Sequence, residues 1–158
     1  MAPLPHRYEH SIIAQCTPHG SGALALIRLS GSNAIEIADK FALLGSGKSL
    51  RDAKTHTIHY GWVVAPDGTH IDQVLFLLMH APRTFTGQDT IEITCHNNPF
   101  IIEQIISLAI KFGARMADRS WQPSPALGRS GPFPKTRSSW LAVTGTAPGS
   151  GGMMISMP

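Results

Sequence analysis

Hydrophobic and polar positions recur with two different periods between residues 11 and 117, and each period predicts one kind of element. Strands are predicted where β-branched and other apolar residues cluster between turn residues. Pro66, Asp67 and Gly68 separate the third and fourth clusters, and this tripeptide between two strands is a specific hairpin signal. The predicted strands cover residues 11–16, 23–30, 55–64, 71–79 and 90–95.

Two other segments show apolar residues at three- and four-residue steps, which is the period of an amphipathic helix. The first begins with an N-cap at residues 32–33 and ends at the glycines of residues 45–47, and the second covers residues 100–113. The apolar residues assigned to the first helix are Ile35, Ile37, Ala38, Phe41 and Leu44. The predicted order, β-β-α-β-β-β-α, indicates the α+β class with an antiparallel or mixed sheet, because the strands do not alternate regularly with helices.

The composition of the chain changes after residue 117. The 158 residues are 42% hydrophobic and 15% charged, which suits one globular domain. Residues 118–158 are dense in Pro, Gly and Ser, contain no acidic residue after Asp118 and follow neither period. We therefore predict an ordered domain over residues 10–117 and a disordered tail over residues 118–158.

Charge and cysteine content narrow the class of protein. The net charge of +3 is too small and dispersed to indicate a nucleic-acid surface. Cys16 and Cys95 form no paired motif, and no apolar run approaches the roughly 18 residues of a membrane-spanning helix. These features predict a cytoplasmic protein without a disulfide framework, a secretory signal or a membrane span.

The sequence favours neither a metal site nor a nucleotide site. The eight histidines do not occur at spacings typical of metal ligands. Gly47, Lys48 and Ser49 match the end of a phosphate-binding loop, but Ala42 occupies the position of its leading glycine. The segment also follows a predicted helix, whereas such a loop follows a strand.

Two charged residues on predicted strands are candidates for ligand binding. Arg28 lies near the end of an apolar strand, where a charge needs a partner or a ligand. Glu92 lies an even number of positions from Thr90, Thr94 and His96, so the four side chains share one strand face. Two alternatives stay open: Arg28 can form an ion pair within the chain or at a dimer interface, and Glu92 can belong to a solvated strand face.

Several motifs resemble, in order and spacing, the N-terminal folate-binding domain of the tRNA modification GTPases called MnmE or TrmE. One is the segment AQCTPHGSGALALIRLSG at residues 14–31, and another is FTGQDTIEITCH at residues 85–96. Between them lie Tyr60-Gly61, the Pro66–Gly68 turn and Ala81-Pro82. The resemblance covers about residues 10–117.

The resemblance implies a dimerising domain, similar in fold to part of the glycine-cleavage aminomethyltransferase, whose N-terminal strands form the homodimer. It implies binding of a tetrahydrofolate derivative, either 5-formyl- or 5,10-methylene-tetrahydrofolate, with Arg28 and Glu92 as folate contacts. It also implies that the full-length enzyme modifies the wobble uridine of tRNA together with an MnmG-type partner. No catalytic residue is predicted in this chain.

The chain also departs from the family pattern. Residues 17–23, 87–89 and 96–98 each lack residues that the family motifs carry, and the family run Pro-Gly-Glu-Phe-Thr after the second helix is absent. We therefore expect a truncated module with an unrelated tail, without the helical and GTPase domains, that does not hydrolyse GTP by itself. The alternatives are a fragment of a folate-dependent one-carbon transferase and a non-functional frameshifted product.

Overall fold

Seven strands form one sheet in the computed structural model, which describes residues 10–117 of the chain. The spatial order of the strands is β3-β4-β5-β6-β2-β1-β7, and all neighbours are antiparallel except β1 and β7. The strands are β1 (Ile12–Gln15), β2 (Leu24–Ser30), β3 (Ala42–Leu44), β4 (Thr57–Val64), β5 (His70–Met79), β6 (Thr90–His96) and β7 (Arg115–Met116). The helices are α1 (Ala34–Asp39) and α2 (Pro99–Lys111).

This mixed α+β architecture confirms the predicted class, and the predicted strands and helices occur in the expected order. Two short strands, β3 and β7, and a 3₁₀ turn at Leu50–Asp52 were not predicted. The similarity to the aminomethyltransferase fold stays a prediction. The predicted disorder of residues 118–158 lies outside the described residues.

One face of the sheet is covered by both helices, and alternation along the strands decides which side chains lie there. Ile27 and Leu29 on β2 and Ile91 and Ile93 on β6 are fully buried in one core cluster that includes residues of α1 and α2. The buried helix residues are Ala34, Ile35, Ile37, Ala38, Ile102, Ile105, Leu108 and Ala109. The even-numbered positions of β2 and β6 therefore lie on the opposite face, which we call the open face.

The first helix is shorter than the sequence predicts. It ends at Asp39, whereas the prediction extended it to the glycines of residues 45–47. Phe41 is fully buried and stacks on Phe112, the C-cap of the second helix, with 6.4 Å between ring centroids, and residues 42–44 then pair with β4. The apolar residues at the end of the predicted helix are thus buried by an aromatic contact and a strand pairing, which outweigh their helical spacing.

A glycine on β4 permits this additional strand. A Cβ atom on Gly61 would overlap the backbone carbonyl of Leu43, so only glycine allows β3 to pair at this position. The Gly47-Lys48-Ser49 segment that follows β3 opens no helix. It leads into the 3₁₀ turn, where the Ser49 hydroxyl accepts the Arg51 N–H at 3.1 Å. This geometry is that of a capped turn; the segment follows a strand, β3, and not the helix that the sequence predicts before it.

The second helix and the predicted hairpin are confirmed. Asn98 is the N-cap of α2, and its side-chain oxygen accepts the Phe100 N–H at 2.9 Å. In the hairpin between β4 and β5, Asp67 accepts the Thr69 N–H at 2.9 Å and Gly68 has φ = 86°. Within residues 10–117, no helix has the length and apolar character needed to span a membrane, and the cytoplasmic location stays a prediction.

Candidate functional site

Arg28 and Glu92, the two residues singled out in the sequence, face each other across the two central strands β2 and β6. The Arg28 Nε donates to Glu92 Oε1 at 2.7 Å, and the Arg28 Nη2 donates to the same oxygen. Their side chains are only 17% and 14% exposed, respectively. The intrachain ion pair, one of the alternatives for Arg28, is therefore present, and Glu92 does not belong to a fully solvated strand face.

The register of the sheet places apolar side chains on both sides of this pair. Ala14 of β1 lies opposite Arg28, and Leu77 of β5 lies opposite Glu92, so the four residues form one row across the open face. Neighbouring apolar atoms exclude water and reduce the local dielectric constant, which strengthens the attraction between the two charges. The pair is thus held in a defined geometry by the centre of the sheet.

The loop between β5 and β6 brings an aromatic ring over the pair. The guanidinium carbon of Arg28 lies 5.2 Å from the ring centroid of Phe85, which is within the range of a cation-π interaction. Asp89 closes this loop and joins it to the end of β2, since its side chain accepts the Ala81 N–H at 2.8 Å and its carbonyl accepts the N–H of Gly31, the residue after β2, at 3.0 Å. The sequence did not identify Phe85 as a site residue, because an aromatic residue in a loop has no periodic signal.

A hydroxyl cluster ties the same loop to the sheet on the open face. The Ser30 and Thr86 hydroxyls lie 2.6 Å apart, and Thr90 lies 3.3 Å from Ser30 and 3.2 Å from Thr86. All three residues are buried. Because a buried hydroxyl needs a hydrogen-bond partner, this cluster holds the loop and Phe85 next to the ion pair.

One oxygen of the Glu92 carboxylate is not used by the pair. Both Arg28 donors converge on Oε1, and Oε2 makes no hydrogen bond to residues 10–117. An ionised carboxylate offers about four acceptor positions, so Glu92 retains the capacity to accept N–H groups of a ligand. The site therefore presents a carboxylate with one oxygen bound to Arg28 and a second oxygen that makes no hydrogen bond to residues 10–117.

Neither cysteine has the properties of a nucleophile. Cys16 lies beside the ion pair, and burial raises the pKa of its thiol; the Glu92 carboxylate also raises this pKa, whereas the Arg28 charge lowers it. Burial, with a smaller contribution from Asp72, raises the pKa of Cys95 to about 11. Both thiols therefore stay protonated at neutral pH, and the reactive thiolate is absent.

Elsewhere in residues 10–117, the side chains do not form a site of comparably specific chemistry. Residues 10–117 contain no cluster of three or more His, Cys, Asp or Glu side chains that could hold a metal ion. A groove of about 520 Å³ runs along α2 on the helix side of the sheet, away from Arg28 and Glu92. Its lining combines four apolar residues with four polar or charged ones: Ala65, Ile71, Phe100, Leu108, Glu103, Gln104, Ser107 and Lys111.

The fold and the site define a class: a one-sided α+β domain whose open sheet face carries a half-buried charged pair and an aromatic ring. Comparison with known families gives the particular assignment. The family described as the N-terminus of the GTP-binding protein TrmE matches residues 11–120, and the chain belongs to this family.

Curated relatives agree with this assignment. The chain is 43% identical over 109 residues to the tRNA modification GTPase MnmE of Geobacillus kaustophilus, and 45% identical over 109 residues to that of Bacillus subtilis. It is also 45% identical over 111 residues to the MnmE of Flavobacterium psychrophilum. The matches cover 68–70% of this chain and 24% of each relative, so the chain spans about a quarter of their length.

Arg28 and Glu92 are predicted to contribute to the stability of the domain as a coupled pair. Arg28→Met or Glu92→Met should each lower the free energy of unfolding by about 1–3 kcal/mol, because the remaining charge is half-buried without its partner. The double variant should lose less than the sum of the two losses. Urea unfolding of the four proteins measures this coupling.

The exposed pair of Arg51 and Glu36, 3.6 Å apart and with both side chains 55% exposed, provides a matched control. Its coupling free energy should stay below about 0.5 kcal/mol, because water screens both charges. Equal coupling free energies for the two pairs would contradict the claim that burial in the sheet strengthens the attraction between Arg28 and Glu92.

Proposed function

We propose that this domain is the reduced-folate-binding and dimerisation module of a tRNA modification GTPase. The ligand is a tetrahydrofolate derivative, either the 5-formyl or the 5,10-methylene form. The observation that carries the proposal is Oε2 of Glu92, which makes no hydrogen bond to residues 10–117 and lies beside Arg28 on a sheet face that neither helix covers. Family membership supports it independently.

The chemistry of the pterin ring suits these two residues. A pterin presents ring N–H and amino groups along one edge, and a carboxylate such as Glu92 can accept two of them in parallel. The planar guanidinium of Arg28 donates to ring carbonyl oxygens, and its existing bond to Glu92 orients the carboxylate before the ligand arrives. A preorganised site of this kind loses less conformational entropy on binding.

Phe85 adds an apolar surface to the same site. Its side chain is 54% exposed and its ring centroid lies 5.2 Å from the guanidinium carbon of Arg28, so an aromatic surface borders the charged pair. The buried hydroxyl cluster holds the loop that carries this ring. A carboxylate, a guanidinium and an aromatic ring together match a heterocycle with both polar edges and flat faces.

In the proposed assignment the chain supplies the folate site of an enzyme that modifies the wobble uridine of tRNA with an MnmG-type partner. The names of the relatives, tRNA modification GTPases, support this wider context. GTP hydrolysis is not assigned to residues 10–117. The transferase fragment and the frameshifted product stay alternatives, and no observation favours either.

Folate binding is predicted to depend on both charged residues. Calorimetric titration of the full chain with 5-formyltetrahydrofolate should detect binding, and Glu92→Gln should weaken it about ten- to hundredfold, because an amide replaces an acceptor-only carboxylate with a group that must turn a donor toward the pterin. Arg28→Ala should weaken it similarly. Glu36→Gln on the exposed surface of α1 is the matched control and should bind as the wild type does.

Equal affinities of the wild type, Glu92→Gln and Arg28→Ala would place the ligand elsewhere. A cooperative urea transition of each variant shows that it is folded, so loss of affinity can be separated from loss of structure.

The proposed dimer uses residues 11–28, which contain β1 and most of β2. On its outer side β1 pairs with β7 at Ile12 and Ile13 only, and a short partner strand leaves the rest of this edge available for another chain. Leu24, on the open face of β2, is 57% exposed. Within residues 10–117 the rest of this edge has no strand partner, and together with the exposed side chain of Leu24 it suits a symmetric contact with a second copy.

Sedimentation velocity should therefore show a concentration-dependent dimer in the micromolar range. Leu24→Glu should shift the protein toward the monomer, because it places a charge in the contact. Ile110→Glu, at an α2 residue that is 43% exposed, should leave the equilibrium unchanged. Observation of monomer alone at high micromolar concentration would contradict the proposed dimer.

A further inference from the structure

A histidine and an aspartate form a second ordered pair at the end of β6. The Nδ1 atom of His96 lies 2.7 Å from Asp72 Oδ1, and the backbone N–H of His96 donates to Asp72 Oδ2 at 2.9 Å. The Asp72 side chain is only 8% exposed, whereas the His96 side chain is 63% exposed. The carboxylate thus uses both oxygens to fix one residue, and most of the imidazole ring stays accessible.

This arrangement determines the chemistry of the accessible ring nitrogen. A carboxylate can only accept hydrogen bonds, so the proton between the two side chains lies on Nδ1 of His96. In the neutral ring Nε2 is then a hydrogen-bond acceptor, and it has no partner among residues 10–117. Histidines that are oriented in this way by a carboxylate are common in binding and catalytic sites.

The position of His96 relates the pair to the site already described. His96 lies opposite Leu24 in the register of β2 and β6, on the same face as Glu92 and four residues further along the strand. At about 3.3 Å per residue, the two residues are about 13 Å apart along the strand. A ligand held at Glu92 by one end must therefore be elongated to reach His96.

We propose that Nε2 of His96 accepts a hydrogen bond from the amide N–H of the benzoyl-glutamate part of a reduced folate whose pterin edge binds Glu92. This inference rests on the proposed function and extends it to the other end of the ligand. A folate is elongated, and its amide group lies on the side of the benzoyl ring remote from the pterin. Asp72 then acts as a positioning residue, because it keeps the proton on Nδ1 and the acceptor on Nε2.

Two variants separate the role of Nε2 from that of Asp72. His96→Asn retains a short side-chain donor for Asp72 and removes Nε2. Asp72→Asn keeps the size of the side chain, but its single oxygen can occupy only one of the two positions at which Oδ2 accepts the backbone N–H and Oδ1 accepts Nδ1–H. If that oxygen stays with the backbone, the amide nitrogen faces Nδ1 as a donor, and the ring proton moves to Nε2.

The experiment compares two ligands and records the ring nitrogens of His96 by ¹⁵N NMR. His96→Asn should bind 5-formyltetrahydrofolate about three- to tenfold more weakly than the wild type, which corresponds to one neutral hydrogen bond. It should bind a tetrahydropterin without the benzoyl-glutamate part with unchanged affinity. Asp72→Asn should move the proton from Nδ1 to Nε2 and weaken folate binding by a similar factor, whereas His70→Asn, at an exposed position of β5, should change neither property.

The outcomes distinguish the two proposals. If Glu92→Gln weakens folate binding while His96→Asn does not, and the His96 signals stay unchanged on addition of folate, the inference about His96 is wrong and the proposed function stands. Equal losses of affinity for folate and for the tetrahydropterin in His96→Asn would also overturn it. If the folded wild type binds neither ligand, the proposed function fails, and this inference fails with it.

Discussion

The pairing of β2 with β6 is the constraint on which the rest of the structure depends. Seven residue pairs connect these central strands, and their register places Arg28 directly opposite Glu92. A slip of one residue would move the charges to the helix face and the core isoleucines to the open face. The hydrophobic core and the charged pair therefore specify the same register, one by burial and the other by attraction across the strands.

This constraint also separates the two faces by role. The helices cover one face and bury its apolar side chains, so the stability of the domain comes mainly from that side. The open face carries the Arg28 and Glu92 pair at its centre and His96 at one end, whereas Asp72 lies opposite buried Val63 in the register of β4 and β5 and reaches His96 from the helix side. In the proposed function, changes on the open face alter folate binding while the core on the other face stays intact.

The sequence predicted what local patterns encode. The alternation of apolar and polar residues placed Arg28 and Glu92 on strands, and the turn residues located the hairpin. Neither pattern predicts which distant strands pair, so the contact between Arg28 and Glu92 could not be predicted from them. The strand at residues 42–44 was missed because its pairing with β4 depends on contacts far away in the sequence. Phe85 was missed because a loop residue has no periodic signal, and its contact with Arg28 joins residues far apart in the sequence. Asp72 did carry a signal, because it is the only charged residue in an otherwise largely apolar strand.

The most direct test of the central claim is a map of the backbone amides that respond to ligand. In ¹⁵N–¹H correlation spectra recorded during titration with 5-formyltetrahydrofolate, the largest changes are expected at Arg28, Glu92 and their row neighbours Ala14 and Leu77. Changes concentrated along the groove beside α2, at residues such as Ser107, with the row unaffected, would contradict the assignment of the open face as the binding surface.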